Sequence, residues 1–507
     1  MSTLAQAPDE DEIEARRLRP RPEYSWTRTV LLHALSFVYL IAFLILAEQH
    51  APLLGSDGLL PVRVFAAHVR ESLGSNGAAF WRLPSVFWFG DSDAMLSVCA
   101  SIGVVLSALG CLGFGNALGF AALWILYLSF VHVGQIFYGY GWESLLCEAG
   151  FLAIFLAPPT ALRFANAPEP PRLMLVLFRW LTFRVMFGAG LIKLRGDPCW
   201  MDLTCLDYHY ETQPNPNPLS PILHRMPALT HRVGVLVNHA VELVAPFFVF
   251  GPRRARLIAG TAIIGFQVLL ILSGNLSFLN WLTIAVALAC FDDGVFAFVT
   301  RRLPRRPPQV AGKLWRGIGI ALAAVIGLLS INPIVNLLSP RQAMNRSFDP
   351  FQLVNTYGAF GSVGKERREL VFEGTAAELP DQTARWLPYE FPCKPGDPMR
   401  PPCLVSPYHY RLDWQLWFLA MGRLDQPWAL NLVYKLLKGD PGVRTLLAHD
   451  PFPERPPRYL RILEYRYRFT REGEKGTWHR ELLGTKLRPI AVDDPELLGY
   501  LQLAGLI

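Results

Sequence analysis

Long unbroken apolar runs separated by short polar turns occupy roughly the first two thirds of the chain, after which the pattern changes to short alternating stretches. A bilayer core of about 30 Å is crossed by roughly 20 apolar residues in a helix. About nine runs approach that length: Val30 to Leu46, Met95 to Phe114, Leu118 to Ile136, Gly141 to Leu156, Leu173 to Ile192, Val233 to Phe250, Leu257 to Leu272, Leu276 to Phe291 and Ile318 to Leu338. The fourth and eighth are short or interrupted, which also suits a re-entrant segment. The pattern predicts a polytopic α-helical membrane protein.

From Ser339 onward proline and charge rise and the long runs stop, so a separate C-terminal α+β domain over residues 339–507 is expected. Arg367 to Gly374 reads as a strand. Tyr465, Tyr467 and Phe469 alternate with Glu464, Arg466 and Arg468 at the two-residue period of a strand. Glu472, Gly473 and Gly476 then supply a turn, with Trp478 opening a return strand. Helices are expected from Asp413 to Leu430 and from Leu430 to Lys438.

Composition agrees with lipid as the solvent of the first part. Hydrophobic residues make up 52% and charged residues 18%, against about 25% charge in soluble domains. The net charge of +7 does not indicate nucleic acid, because the basic residues sit in short clusters beside apolar runs, where they set membrane orientation. Arg16, Arg17, Arg19, Arg21 and Arg28 place residues 1–29 on the cytoplasmic side. Nine crossings then put Arg253, Arg254 and Arg256 inside, together with Arg301, Arg302, Arg305, Arg306, Lys313 and Arg316. Within the helical part, residues 30–338, the loop 193–232 falls outside, and so does the whole C-terminal domain. The first span shows no convincing cleavage site after it and is expected to stay as a signal anchor.

Cysteine usage follows this topology. Cys99, Cys111, Cys147 and Cys290 fall within spans as small apolar fillers. Cys199 with Cys205, and Cys393 with Cys403, lie where an oxidising lumen or periplasm permits disulfides. Pairing within each segment is expected. A cross-link between loop and domain remains open, as does metal ligation, although zinc pairs usually sit about two to four residues apart.

Three polar clusters are candidates for chemistry or binding. Ionisable residues inside spans are costly, which singles out His132, Glu148, Arg179, Arg184, His239 and Glu242. Glu148 is expected to pair with Arg184, and His239 and Glu242 to share one helix face; joining helices is the plainer role for both. In the outside loop, Trp200, Asp207, Tyr208, His209, Tyr210 and Glu211 precede the prolines Pro214, Pro216 and Pro218. Such a cluster binds a peptide, supports acid/base work through His209 and a carboxylate, or forms a rigid plug. The third cluster holds Tyr408, His409, Arg411, Asp413, Trp414 and Trp417, a mixture that suits an interface or the headgroup region. No Walker loop, zincin motif, nucleophile elbow or paired CxxC motif is present, so no catalytic residue, metal or cofactor is assigned. Sequons occur at Asn275 and Asn345, at a frequency chance allows.

Three blocks resemble the lipase maturation factor family. They are YLSFVHVGQIFYGYGWESLLCEAGFLAIFLAP (Tyr127 to Pro158), FRVMFGAGLIKLRGDPCWMDLTCLDYHYETQPNPNPLS (Phe183 to Ser220), and NTYGAFGSVGKERRELVFEGT (Asn355 to Thr375) with YEFPCKPGDPMRPPCLVSPYHYRLDWQLWF after it, up to Phe418. The resemblance implies a multi-pass protein of the endoplasmic reticulum membrane in a eukaryote, or of the inner membrane in a bacterium. It implies a chaperone-like role in bringing secreted, dimeric lipases to an active fold, with the C-terminal domain against the client and aromatic surface offered by Trp200, Tyr208, Tyr408, Trp414 and Trp417. The arginine, alanine and proline bias resembles that of a GC-rich bacterium. More distantly, the helical part is similar to the vitamin K-dependent carboxylase membrane fold, which implies an alternative: an intramembrane enzyme modifying a polypeptide or lipid. Transport ranks below both, since no internal repeat of spans is visible. The partners expected are a secreted client and membrane lipids, without nucleic acid; the oligomeric state is left open.

Overall fold

The computed structural model describes residues 23–166, 168–300, 312–381 and 383–507. Arg16, Arg17, Arg19, Arg21, Arg301, Arg302, Arg305 and Arg306 lie outside the described residues.

Every apolar run of the sequence is helical. The helices are α1 (Ser25–Leu54), α2 (Asp93–Cys111), α3 (Ala117–Val133), α4 (Gly141–Leu156), α5 (Arg172–Arg195), α6 (Ala228–His239), α7 (Arg253–Ser273), α8 (Leu279–Cys290) and α9 (Lys313–Leu338). Among the described residues five of them, α1, α2, α5, α7 and α9, are long and apolar enough to cross a membrane. The other four are shorter, and α4 carries Glu143 and Glu148 besides. Side chains that satisfy free amides mark the starts: Ser92 accepts from Met95 N and Asn116 from Gly119 N. Beyond α6 the chain widens into a π-helical turn over Ala240–Val244.

Two ends of the bundle are defined by contacts. At one end Asp293 Oδ1 accepts from the amides of Trp26 and Thr27, both at 3.0 Å, and Asp292 binds Arg253 at 2.8 Å and Arg256 at 3.1 Å. Arg28 reaches the carbonyls of Phe164 and Pro168 there. The loop after α5 and the C-terminal residues share the opposite end, here termed outer.

The C-terminal part contains one antiparallel sheet in the order β2-β1-β3-β4: β1 (Arg367–Thr375), β2 (Leu387–Pro388), β3 (Tyr459–Phe469) and β4 (Trp478–Ile490). The alternation around Tyr465 forms the expected strand, with Arg367 opposite Tyr467 and Phe469 opposite Trp478. Two helices, α10 (Arg411–Met421) and α11 (Pro427–Lys438), pack with the sheet. Gly439 ends α11 in a left-handed conformation (φ +66°), which a residue without Cβ adopts at little cost.

One apolar cluster runs from the outer ends of the bundle into this domain. Leu46, Leu53, Phe130 and Val133 share it with Leu370, Phe372, Leu416, Leu432 and Ile462. Residues 345–363 lie against the bundle before β1 begins, and their close approach to α5 requires glycine. A Cβ at Gly188 or Gly196 would strike the carbonyl of Tyr357 or Gly361.

Candidate functional site

The polar residues singled out near residue 410 meet the outer end of the bundle, where they form a buried joint, whereas Arg179 binds the carbonyl of Ala289 toward the other end. Arg411, in the first turn of α10, is 0% exposed and binds Glu143 Oε1 at 2.7 Å and the carbonyl of Phe137 at 2.6 Å. Its guanidinium stacks on the Tyr138 ring, 3.6 Å from the centroid. Glu143 also accepts from the Trp142 indole at 2.9 Å and from the Tyr127 hydroxyl. Gln49 of α1 closes the joint from the side: its amide nitrogen donates to His409 O, and its oxygen accepts from Arg411 N, both at 2.9 Å. His409 is fully buried against Ser277 Oγ at 2.8 Å.

Beside it, Asn275 is 1% exposed and holds the domain by three bonds: it donates to Cys403 O at 2.9 Å and accepts from Val405 N and Ser406 N at 3.1 Å. Its amide is therefore committed to packing and is closed to a glycan. Asn345 is exposed.

A second node lies within the bundle. Glu148 and Arg184 form an ion pair, Arg184 donates to Asn355 O at 2.7 Å, and Glu148 accepts from Asn355 N at 3.0 Å and Tyr357 OH at 2.7 Å. In a third, Lys193 binds Glu242 at 2.6 Å and lies 5.2 Å from the Trp200 ring. His239 sits beside the same node, its ring 6.2 Å from that of Trp200. His239, the last residue of α6, bonds the carbonyl of Trp200 at 3.0 Å, and Glu242 lies in the π-helical turn that follows.

The loop after α5 docks against the sheet. Arg367 of β1 donates to the carbonyls of Glu211, Gln213 and Pro214, and Glu211 accepts from Phe469 N at 2.7 Å. His209 and Glu211 form no acid/base pair, because residues two apart on a helix point in different directions. Burial, with the Lys193 charge, lowers the His209 pKa to about 4, and its ring stands edge-on to Phe360. Burial raises the carboxyl of Glu211 above its ordinary value. The histidines that do meet carboxylates are His231, 2.7 Å from Asp207, and His224, 3.5 Å from Glu211; nothing in their spacing indicated this.

The expected aromatic surface is corrected by burial. Trp200 and Trp414 are 3% and 4% exposed, and Arg411 and Asp413 0%. Trp414 packs edge-on to Trp142 at 4.9 Å, because these rings serve the contact between bundle and domain. Asp207, Tyr208, Tyr210, Tyr408 and Trp417 stay half-buried.

Both bridges close locally, Cys199 with Cys205 and Cys393 with Cys403. Asp413 ties the second to α10 by accepting from Cys393 N at 2.6 Å and Lys394 N at 2.8 Å, and burial lifts its pKa to about 6. The cleft beside this bridge, lined by Pro216, Lys394, Arg400 and Trp478, has room of about 10 Å3, enough for a single water. Among the described residues no group of three His, Cys, Asp or Glu side chains is placed to hold a metal.

Two expected results follow from this geometry. Cys403→Ser removes a bridge whose loss typically costs about 2–5 kcal/mol, so the yield of folded protein in membranes falls. Normal abundance with lost client maturation would point to thiol exchange instead. For His209, the folded pKa near 4 lies below its unfolded value, so the folded loop binds the proton less readily than the unfolded one. Stability is full above pH 6.5 and declines as pH falls toward about 4. Thermal unfolding of His209→Gln in detergent should show a flatter pH dependence over that window, and an unchanged slope would contradict the assignment.

The fold and the joint define a class: an integral membrane protein whose helical bundle carries a folded domain locked onto one end by a buried ion pair and side-chain-to-backbone bonds. Residues 26–298 match the family model described as the lipase maturation factor transmembrane domain, and residues 353–488 match the lipase maturation factor C-terminal domain. Lipase maturation factor 1 of Mus musculus is 46% identical over 504 residues, covering 92% of this chain and 88% of the relative. The Homo sapiens protein of that name is 45% identical with the same coverages. Lipase maturation factor 2 of Xenopus laevis is 30% identical over 614 residues, covering 96% of this chain and 85% of the relative. No solved structure matches the chain. The chain belongs to the lipase maturation factor family.

Proposed function

We propose that the chain is a membrane-bound maturation factor that brings secreted lipases to their active, assembled form in a chaperone-like way. The observation that carries this reading is identity of 46% across 92% of the chain with a protein named for lipase maturation, spanning bundle and domain alike. In this reading α1 to α9 all cross the bilayer. The N-terminus is then cytoplasmic, and the loop 193–232 and residues 339–507 face the lumen of the endoplasmic reticulum, or the periplasm in a bacterial host. The relatives named above are vertebrate proteins, and they lend the bacterial reading of the composition no support. Asp207, Tyr208, Tyr210, Tyr408 and Trp417, only half-buried, are the candidates left for touching the client.

The carboxylase-like alternative draws no support from the comparisons, and the residues it needs have structural partners. Glu211 caps a strand amide, Lys193 is neutralised by Glu242, and His209 is packed against Phe360. The test is co-expression with a secreted dimeric lipase in cells lacking their own maturation factor. Lipase activity per secreted lipase molecule should rise with this chain and not with an empty membrane control. Unchanged specific activity despite normal membrane insertion would sink the proposal. A mass increment on the secreted client would revive the enzyme.

A further inference from the structure

Between α1 and α2 the chain makes a helical hairpin, Val62–Leu73 and Asn76–Arg82, followed by a short turn over Val86–Trp88. Gly74, at φ +77°, lets the first helix reverse into the second, and Ser75 caps the latter by accepting from Ala78 N at 3.1 Å. The turn then descends beside α3 and does not stay above it. Ser85 Oγ donates to Ser129 O at 3.2 Å, and Val86 N donates to Ser129 Oγ at 3.0 Å. Ser129 lies four residues before the outer end of α3, which puts the turn about 6 Å below that end at 1.5 Å per residue.

Backbone that leaves the helical form at membrane depth is tolerated only where its polar groups are satisfied by protein. The turn meets that condition. Phe87 N donates to Ser85 Oγ at 3.1 Å, Phe89 N to Val86 O at 3.1 Å, and the Trp88 indole to Leu83 O at 2.7 Å. Phe87 anchors the inner side against Phe130, with ring centroids 4.7 Å apart.

The outer side is aromatic and uncovered. Trp81 is 68% exposed and Phe89 82%, and Phe80 lies between them, 5.8 Å and 6.3 Å away. Four residues after Phe89 begins α2, whose exposed Val98, Ile102, Val105 and Leu109 repeat at helical spacing. That stripe is the lipid-facing side of a helix long and apolar enough to span the membrane. The aromatic cluster continues the same surface at its outer margin. Tryptophan, with an apolar body and one donor, is enriched at that depth of a bilayer, and the neighbouring exposed Arg82 can extend its charge toward the headgroups.

We propose that residues 76–89 are an interfacial foot, with Trp81 and Phe89 inserted at the headgroup–acyl boundary of the outer leaflet. The foot braces the outer end of the bundle against tilting and sets the height at which the docked domain stands above the lipid.

The test places a photoreactive benzoyl-phenylalanine at position 81 or 89 of the full chain in native membranes containing an alkyne-tagged phosphatidylcholine. Position 105 on the stripe of α2 serves as the lipid-facing reference. Position 379, where Leu379 is exposed in the C-terminal domain, serves as the aqueous one. Lipid adducts at 81 and 89 should match those at 105 and be lost at 379. Protein adducts at 81 and 89, or no lipid adduct there while 105 labels, would overturn the proposal. If either label lowers expression, nanodiscs with lipids brominated at shallow acyl carbons separate the same two outcomes. The fluorescence of wild type minus Trp81→Phe is then quenched if the foot is inserted and unquenched if it is not.

Discussion

Replacing Arg411 by alanine is expected to unlock the C-terminal domain from the bundle and to cost about 3–5 kcal/mol, the range for removing one partner of a buried ion pair. The cost arises because Glu143 stays behind, 0% exposed, and cannot reach water. The carbonyl of Phe137 loses its donor as well, and the Tyr138 ring loses the cation stacked on it. Trypsin should then separate bundle from domain at concentrations that leave the wild type intact, and the steady-state amount in membranes should fall. Arg411→Lys should recover little, since an ammonium cannot bond Glu143 and Phe137 while lying flat on a ring. The double variant Glu143→Leu with Arg411→Met should recover more than either single change, because an apolar pair leaves no stranded charge. Equal protease resistance of wild type and Arg411→Ala would show that the apolar contacts hold the joint without the ion pair.

Glu148→Ala should be of similar size, about 3–5 kcal/mol, for the same reason in reverse: Arg184 is left cationic and buried. Here the loss also frees Asn355 N and the Tyr357 hydroxyl, which Glu148 accepts at 3.0 Å and 2.7 Å. Residues 345–363 should loosen from α5, so that the already exposed Arg346 becomes a trypsin cleavage site before the sheet itself unfolds. A drop in thermal stability without new cleavage in that segment would place the effect within the helices alone. The two substitutions affect separate nodes, so their effects should add if no side chain couples them.

Much of the fold was legible in the primary structure. Apolar runs located every helix of the bundle, because a helix facing lipid or other helices needs little but apolar residues. The alternation at Tyr465, Tyr467 and Phe469 located β3, because a half-buried strand repeats every two residues. Four cysteines on the outer side paired within their own segments. The candidate site was legible as composition and misread as surface. Aromatic and charged residues near residue 410 suit an exposed binding face as well as a buried joint. The choice depends on whether Gln49, 362 residues away, supplies the hydrogen bonds in place of water. Glu143, Gln49 and Asn275 carry no local signal of the joint for the same reason, since each is ordinary until its distant partner is in place.

The sequence alone therefore determined the class of protein: a membrane bundle with a sheet-containing domain after it, and the family whose residue blocks it shares. Periodicity and run length are local properties, and the solvent that surrounds a segment selects for them directly. Tertiary structure decided which polar groups face one another. It buried Trp414, His409 and Arg411 in the joint and Trp200 beside Lys193, paired Glu242 with Lys193, and lowered the Ser85–Phe89 turn along α3. Pairing of buried polar groups is a long-range property, set by which helices and strands come to lie side by side, and no local window along the chain contains it.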